Sequence, residues 1–217
     1  MFNKEDAFSR FIKTTDYNTN DFIYNISEQW WSRLYEYPWA GKFADKYDIC
    51  LDAACGIEHH FKYYLAENCK KVYCCDLDER LKDREYVFSY VKEYFGEEAY
   101  NRILRNTEKI TFDVCNLSNL PYKDKSFDKI YCISVLEHMS LSDRLNTFNE
   151  FKRCLKDNGI IILTMDYPSV NLNEFKEQLD NTNLKFKYGY DFNIPEECLV
   201  SEIYPGLSCF RAIISKT

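Results

Sequence analysis

Ile49-Cys-Leu-Asp-Ala-Ala-Cys-Gly-Ile-Glu-His-His60 carries an apolar run into a small-residue turn around Gly56. Val72-Tyr-Cys-Cys-Asp-Leu-Asp78 then ends a second apolar run in an acidic residue, Asp76, twenty positions after that glycine. In a chain that alternates strands and helices, this is the layout of a nucleoside pocket. A tight strand-to-helix turn lets backbone approach the ligand, and a carboxylate at the next strand end accepts from ribose hydroxyls.

Working outward, strand-like runs fall at 49–53, 71–75, 110–113, 129–133, 159–165, 184–190 and 209–215, with helix-like stretches at about 59–67, 83–100, 140–156 and 171–181. Such alternation predicts an α/β fold: a Rossmann-like, seven-stranded, mostly parallel sheet with helices on both faces. No strong helix separates the last two runs, so they read as an antiparallel pair at the C-terminal edge. Upstream, Ser27 is positioned to cap a helix running through Trp30, Trp31, Leu34 and Tyr35 and stopping near Pro38. The expected organisation is one domain over 1–217, with an N-terminal helical cap at 1–46 and the core at 47–217.

Composition narrows the class. At 217 residues, with 46% hydrophobic and 29% charged, the chain is long enough for one packed core. The net charge of −7 and the lack of a basic stripe disfavour nucleic acid as a partner. No apolar run approaches a membrane span, and Met-Phe-Asn-Lys-Glu-Asp at the start lacks the pattern of a leader. The ten cysteines fall mostly inside strand-like runs, where a reduced thiol acts as a small apolar residue. They show no Cys-x-x-Cys pair, and the three histidines complete no ligand set with them, so no metal site is expected. A reducing cytoplasm is the expected location; oligomeric state stays open.

Four blocks in colinear order over roughly 47–166 resemble class I S-adenosylmethionine-dependent methyltransferases. They are Leu51-Asp-Ala-Ala-Cys-Gly-Ile57, Val72-Tyr-Cys-Cys-Asp-Leu-Asp78, Leu120-Pro-Tyr-Lys-Asp-Lys-Ser-Phe-Asp-Lys-Ile-Tyr-Cys-Ile-Ser-Val-Leu-Glu-His138 and Phe151-Lys-Arg-Cys-Leu-Lys-Asp-Asn-Gly-Ile-Ile-Ile-Leu-Thr164. The resemblance implies S-adenosylmethionine as cofactor and S-adenosylhomocysteine as product. It places Asp52, Ala54, Gly56, Asp76, Leu77, Asp113, Val114 and Ser134 around the cofactor, with Asp76 on the ribose and Asp113 on the adenine amino group. From residue chemistry alone, Asp52 also reads as a carboxylate capping the following turn, Asp76 as a surface acid and Asp113 as an Asx-turn.

Ser32-Arg-Leu-Tyr-Glu-Tyr-Pro-Trp-Ala40 is similar to a segment of small-molecule methyltransferases, some in surface-sugar pathways. That similarity implies that Arg33 meets the cofactor's carboxylate or an anionic substrate, with Tyr37 or Trp39 as a pocket wall. The competing reading is a helix whose aromatics pack on the core and whose Arg33–Glu36 pair is solvated. His138 is the first candidate for a general base, followed by His59 and His60, because an imidazole titrates near neutrality. Tyr37, His59 and Tyr167 are the substrate-side candidates.

One departure stands out. Glu58 occupies a position where the family commonly has glycine. It would accept from the cofactor's ammonium, face the acceptor, or follow the helix start, where the dipole favours an anion. The expected activity is methyl transfer to an oxygen or nitrogen of a small molecule, such as a nucleotide- or sugar-linked surface-polysaccharide precursor. The alternative is a binding or regulatory subunit whose site has decayed.

Overall fold

The computed structural model describes residues 4–217; the first three residues of the expected N-terminal cap, where the leader motif would begin, lie outside the described residues. In chain order the elements are α1 (Lys4–Ala7), β1 (Arg10–Phe11), α2 (Arg33–Gly41), β2 (Ile49–Ala53), α3 (Phe61–Asn68), β3 (Lys71–Asp76), α4 (Arg84–Leu104), β4 (Ile110–Val114), β5 (Phe127–Ile133), α5 (Leu141–Cys154), β6 (Leu155–Tyr167), α6 (Leu172–Asn181), β7 (Leu184–Phe186) and β8 (Ser208–Lys216).

The sheet runs β1-β8-β6-β5-β2-β3-β4, with β7 also pairing with β8. Strands β2 to β6 are mutually parallel, and β8 returns antiparallel to β6. The strand order reverses between β2 and β5, where open sheets of this kind bind ligands at their carboxyl ends. The strand count is eight rather than the expected seven. The addition is β1, two residues pairing with Phe210 and Arg211, too short for a sequence period to reveal.

Alternation along the strands splits the core into two layers. Cys50, Val72 and Cys74 face the layer built with α2, α3 and α4; Leu51, Ala53, Cys75, Ile130 and Cys132 face the layer under α5 and α6. Three element boundaries differ from expectation. β6 begins at Leu155, which pairs with Phe127 across a register shift before the regular ladder resumes at Ile160. β7 stops at Phe186. Ser27 caps no helix: residues up to Ser32 form turns, and α2 starts at Arg33 and continues past Pro38. Pro38 has no N–H for the Leu34 carbonyl, and the Thr19 N–H takes that acceptor at 3.0 Å, so the helix survives the proline. Among the described residues, no helix is long and apolar enough to cross a membrane.

Candidate active site

Two turns bracket the point where the strand order reverses. After β2, Ala54 and Gly56 hold φ of 60° and 54°; after β5, Ser134 holds 48°. Ala and Ser rarely adopt left-handed backbone, and such residues persist only where the surroundings fix them. At Gly56 a side chain would be strained by φ, and a Cβ would lie 2.7 Å from the His59 ring. Gly56 N–H donates to Asp76 Oδ2 at 2.9 Å, and Asp78 N–H donates to Oδ1 at 3.1 Å. The Asp76 carboxylate is thus pinned from both sides, with acceptor capacity left on each oxygen.

Beneath the turn lies a feature the sequence reading missed. Lys62 is fully buried, and its Nζ donates to the carbonyls of Cys55 (3.3 Å), Gly56 (2.7 Å), Ile57 (3.1 Å) and His59. Four carbonyls turned toward one amine fix the peptide planes of a loop that has a single glycine. A legible signal existed: Lys62 is spaced four residues before Ala66 on the buried side of α3.

Around this turn the expected cofactor residues do converge. Asp52 is 4% exposed, and burial raises its carboxyl to about 7, with Lys62 opposing and Asp76 adding to the rise. Val114 sits directly across from Asp76 in the β3–β4 ladder, and Asp113 across from Cys75. Asp113 Oδ2 accepts from the Tyr122 hydroxyl at 2.9 Å. Leu77 is 68% exposed beside Asp76, an apolar surface at the sheet edge. A pinned carboxylate, an exposed aliphatic wall and a turn without side-chain bulk fit the sugar and base of an adenosyl group.

A second concavity of about 390 Å³ adjoins Ser134, lined by Trp30, Trp31, Arg33, Glu137, His138, Asp166 and Tyr204 among others. It is organised by Glu36, which is fully buried rather than solvated as one reading of its helix held. Glu36 Oε2 accepts from Arg33 and from Ser32 Oγ (2.9 Å); Oε1 accepts from Ser134 Oγ (2.7 Å) and Cys209 Sγ (3.3 Å). Burial alone would raise the Glu36 carboxyl, but Arg33 and the hydroxyls of Thr164 and Ser134 bring it below its ordinary value. This bond also holds Ser134 in its left-handed turn.

The other carboxyls of the cavity have no such support. Both Glu137 oxygens and Asp166 Oδ1 are buried without a hydrogen-bond partner. Burial raises Glu137 to about 8; its own backbone amide and Arg33 oppose the rise, and Asp166 and Glu36 reinforce it. Burial and then Glu36 raise Asp166 to about 6.

Of the substrate-side candidates, Tyr37 and His59 come together: Tyr37 Oη lies 3.0 Å from His59 Nδ1, and Trp30 covers the His59 ring at 4.4 Å. Burial, with Arg33 and Lys62 nearby, depresses His59 well below its ordinary range. His138 is exposed on the cavity wall. His60 is a core residue stacked on Tyr24 at 4.2 Å, its pKa lowered by burial to about 3. Tyr167 does not line the cavity. Side chains alternate along β6, so Asp166 faces the cavity while the Tyr167 ring packs edge-on to Phe11 at 5.3 Å. Trp39 is no wall either: it is 3% exposed and donates to the Asp6 carbonyl at 2.7 Å. Glu58, the motive for the decayed-site alternative, is exposed and bonds to the Tyr90 hydroxyl on α4.

The ten cysteines are all free thiols. Asp48, Cys50 and Cys69 bring ligand atoms within 4.8 Å of one another, a proximity their spacing concealed. The two sulfurs lie 3.5 Å apart as a hydrogen-bonded pair, and Asp48 is paired with Lys129.

Comparison with known proteins adds the family level. The methyltransferase domain family model matches residues 51–163, more than half of the chain. Norajmaline N-methyltransferase of Rauvolfia serpentina is 33% identical over 94 residues, covering 43% of this chain and 31% of that protein. The chain spans less than a third of the curated relatives it matches. The YcgJ protein of Bacillus subtilis superposes with a TM-score of 0.58 at 16% identity, covering 82% of this chain and 95% of that one. Geranyl diphosphate C-methyltransferase of Streptomyces coelicolor, solved with S-adenosylhomocysteine, superposes at 0.53 and 13% identity, covering 80% and 75%. At these identities the superpositions establish a shared fold.

Proposed function

The chain belongs to the methyltransferase domain family, and on that premise we propose that it moves a methyl group from S-adenosylmethionine to an oxygen or nitrogen of a small molecule. The observation that carries this reading is the Asp76 carboxylate, held between the Gly56 and Asp78 amides beside the exposed Leu77. When bound, the cofactor supplies an electrophilic methyl group on a sulfonium. The chain's own part is positioning, which contributes as much as about 7–11 kcal/mol to such displacements.

In this reading Asp76 accepts from the ribose hydroxyls, Leu77 and Val114 flank the base, and Asp113 Oδ1 takes the adenine amino group. Ala54 and Gly56 let the turn approach the methionine part. Asp52 and the donors of Arg33 not used by Glu36 take its ammonium and carboxylate. Ser134 acts through Glu36, as a positioning residue. Trp30, backed by the His59 ring and through it by the buried Tyr37, closes one side of the acceptor space, and His138 on the wall is the candidate proton acceptor for a hydroxyl. The likeness of Ser32–Ala40 to enzymes of surface-sugar pathways supports a nucleotide- or sugar-linked acceptor. The free cysteines support a reducing, cytoplasmic setting.

Calorimetry with S-adenosylhomocysteine tests the reading. One site per chain on folded protein is expected, and the absence of binding contradicts it.

A further inference from the structure

We propose that the acceptor is a positively charged amine, held between the carboxyl groups of Glu137 and Asp166 and walled by Trp30 and Trp31. This rests on the methyltransferase reading and names the substrate class for the same site. Arg33, Glu36, Glu137 and Asp166 crowd the cavity and its floor. Arg33 and Glu36 cancel through their ion pair, and Glu36 is filled by Ser32, Ser134 and Cys209. Glu137 Oε1 and Oε2 and Asp166 Oδ1 remain, buried and, among the described residues, without a side-chain donor; only the Glu137 amide acts on its own carboxyl.

A buried acceptor without a donor costs about 1–3 kcal/mol, and a charged one more. Two such carboxyls facing one cavity call for an explanation, and a ligand that supplies the missing partner is one. A ligand for this cavity must bring several donors and a positive charge, and an ammonium group has both. Trp30 and Trp31 in the lining add to this preference, because aromatic rings attract cations. A carboxylate or phosphate at the same place would meet the negative charge the pair carries; a neutral hydroxyl would offer one donor and no charge. An amino sugar reconciles this class with the surface-sugar resemblance.

Proton linkage follows from the same groups. Facing Glu137 and Asp166 are Arg33 and Glu36 from α2, Cys132 from β5, Cys209 from β8, and His138 and Tyr204 on the cavity wall. With the two carboxyls raised to about 8 and about 6, the pair retains close to one proton at neutrality. An arriving ammonium favours the ionised form of Glu137 and expels that proton, so its binding tightens as pH rises from 6 to 8. Methylation of the nitrogen then requires its lone pair. One N–H bond breaks, and the proton passes to a Glu137 carboxylate oxygen, forming an O–H bond and leaving the pair on nitrogen.

Calorimetry on protein saturated with S-adenosylhomocysteine distinguishes these claims. The probes are phenethylamine against 2-phenylethanol and glucosamine against glucose. At least one amine is expected to bind about tenfold or more tightly than its alcohol twin. Phenethylamine affinity should rise between pH 6 and 8. Glu137→Gln and Asp166→Asn, both isosteric, should each lower amine affinity about tenfold while S-adenosylhomocysteine affinity holds. Equal affinity for amine and alcohol overturns the proposal, as does no binding of any probe to cofactor-loaded protein. So does a Glu137→Gln protein that keeps its amine affinity, or that loses S-adenosylhomocysteine instead, since the carboxyl would then serve the cofactor's own amino group. Failure of folded wild type to bind S-adenosylhomocysteine at all overturns the methyltransferase reading beneath it.

Discussion

The two ends of this sheet carry similar residue types and treat them in opposite ways. At the amino end, a concavity of about 560 Å³ is lined by Asp48, Asp128, Asp157, Lys125, Lys129, Lys156 and Lys187 among others. Its carboxylates are matched: Asp48 with Lys129, Asp128 with Lys156, Asp157 with Lys125. At the carboxyl end the smaller cavity, about 390 Å³, leaves Glu137 and Asp166 oxygens buried and unmatched, beside non-glycine residues in left-handed backbone. Size would choose the wrong end. Exposed matched pairs, such as Asp157 with Lys125, solubilise a surface and hold little energy. Buried groups without partners, in strained turns, are features a fold retains when a ligand completes them.

The sharpest contrast comes from breaking one ion pair at each end. Glu36→Ala leaves Arg33 without its partner and Ser134 without its anchor, and is expected to cost about 3–5 kcal/mol in urea unfolding. A cost as small as that of an exposed pair would break the comparison. Lys62→Met keeps most of the side-chain volume but strands four carbonyls. It should cost about 2–3 kcal/mol and weaken S-adenosylhomocysteine binding by loosening the turn that carries Gly56. Asp76→Ala should leave the unfolding midpoint nearly in place while taking about 1.5–3 kcal/mol from S-adenosylhomocysteine affinity, read by calorimetry. Smallest of all, Lys156→Ala opens a half-exposed pair with Asp128. It should change stability by less than about 1 kcal/mol and leave cofactor affinity where it was.

A pH series sharpens the same contrast. Glu137 and Asp166 have folded pKa values above those of the unfolded chain, so the folded protein binds more protons than the unfolded one between about 4 and 8. Their contribution is present below the unfolded values and is lost as pH rises through about 6 and then about 8. The thermal unfolding midpoint should therefore fall as pH rises across that window, and Glu137→Gln should flatten the slope.

Much of this was readable before any coordinates. The turn at Gly56, the acid at Asp76 and the alternation of apolar runs are local patterns, and the sheet order follows from them with few alternatives. What stayed hidden depends on distant partners. Glu36 looks like one half of a surface i,i+3 pair until Ser134, nearly a hundred residues later, is seen to meet its carboxylate. Pro38 looks like a helix stop until the Thr19 amide appears at the Leu34 carbonyl. Tyr167 and Asp166 are adjacent in sequence, and only the pleat of β6 decides which one faces the cavity. Lys62 alone left a local trace, a lysine on the buried side of a short helix.

The difference between the ends is tested most directly by amide chemical-shift mapping of S-adenosylhomocysteine on labelled wild-type protein. The account predicts large shifts at Ala54, Gly56, Leu77, Asp78, Val114 and Ser134, with Lys125, Lys129 and Lys156 unmoved. Shifts confined to the lysine-lined end, or none at the Gly56 turn at saturating ligand, would contradict it.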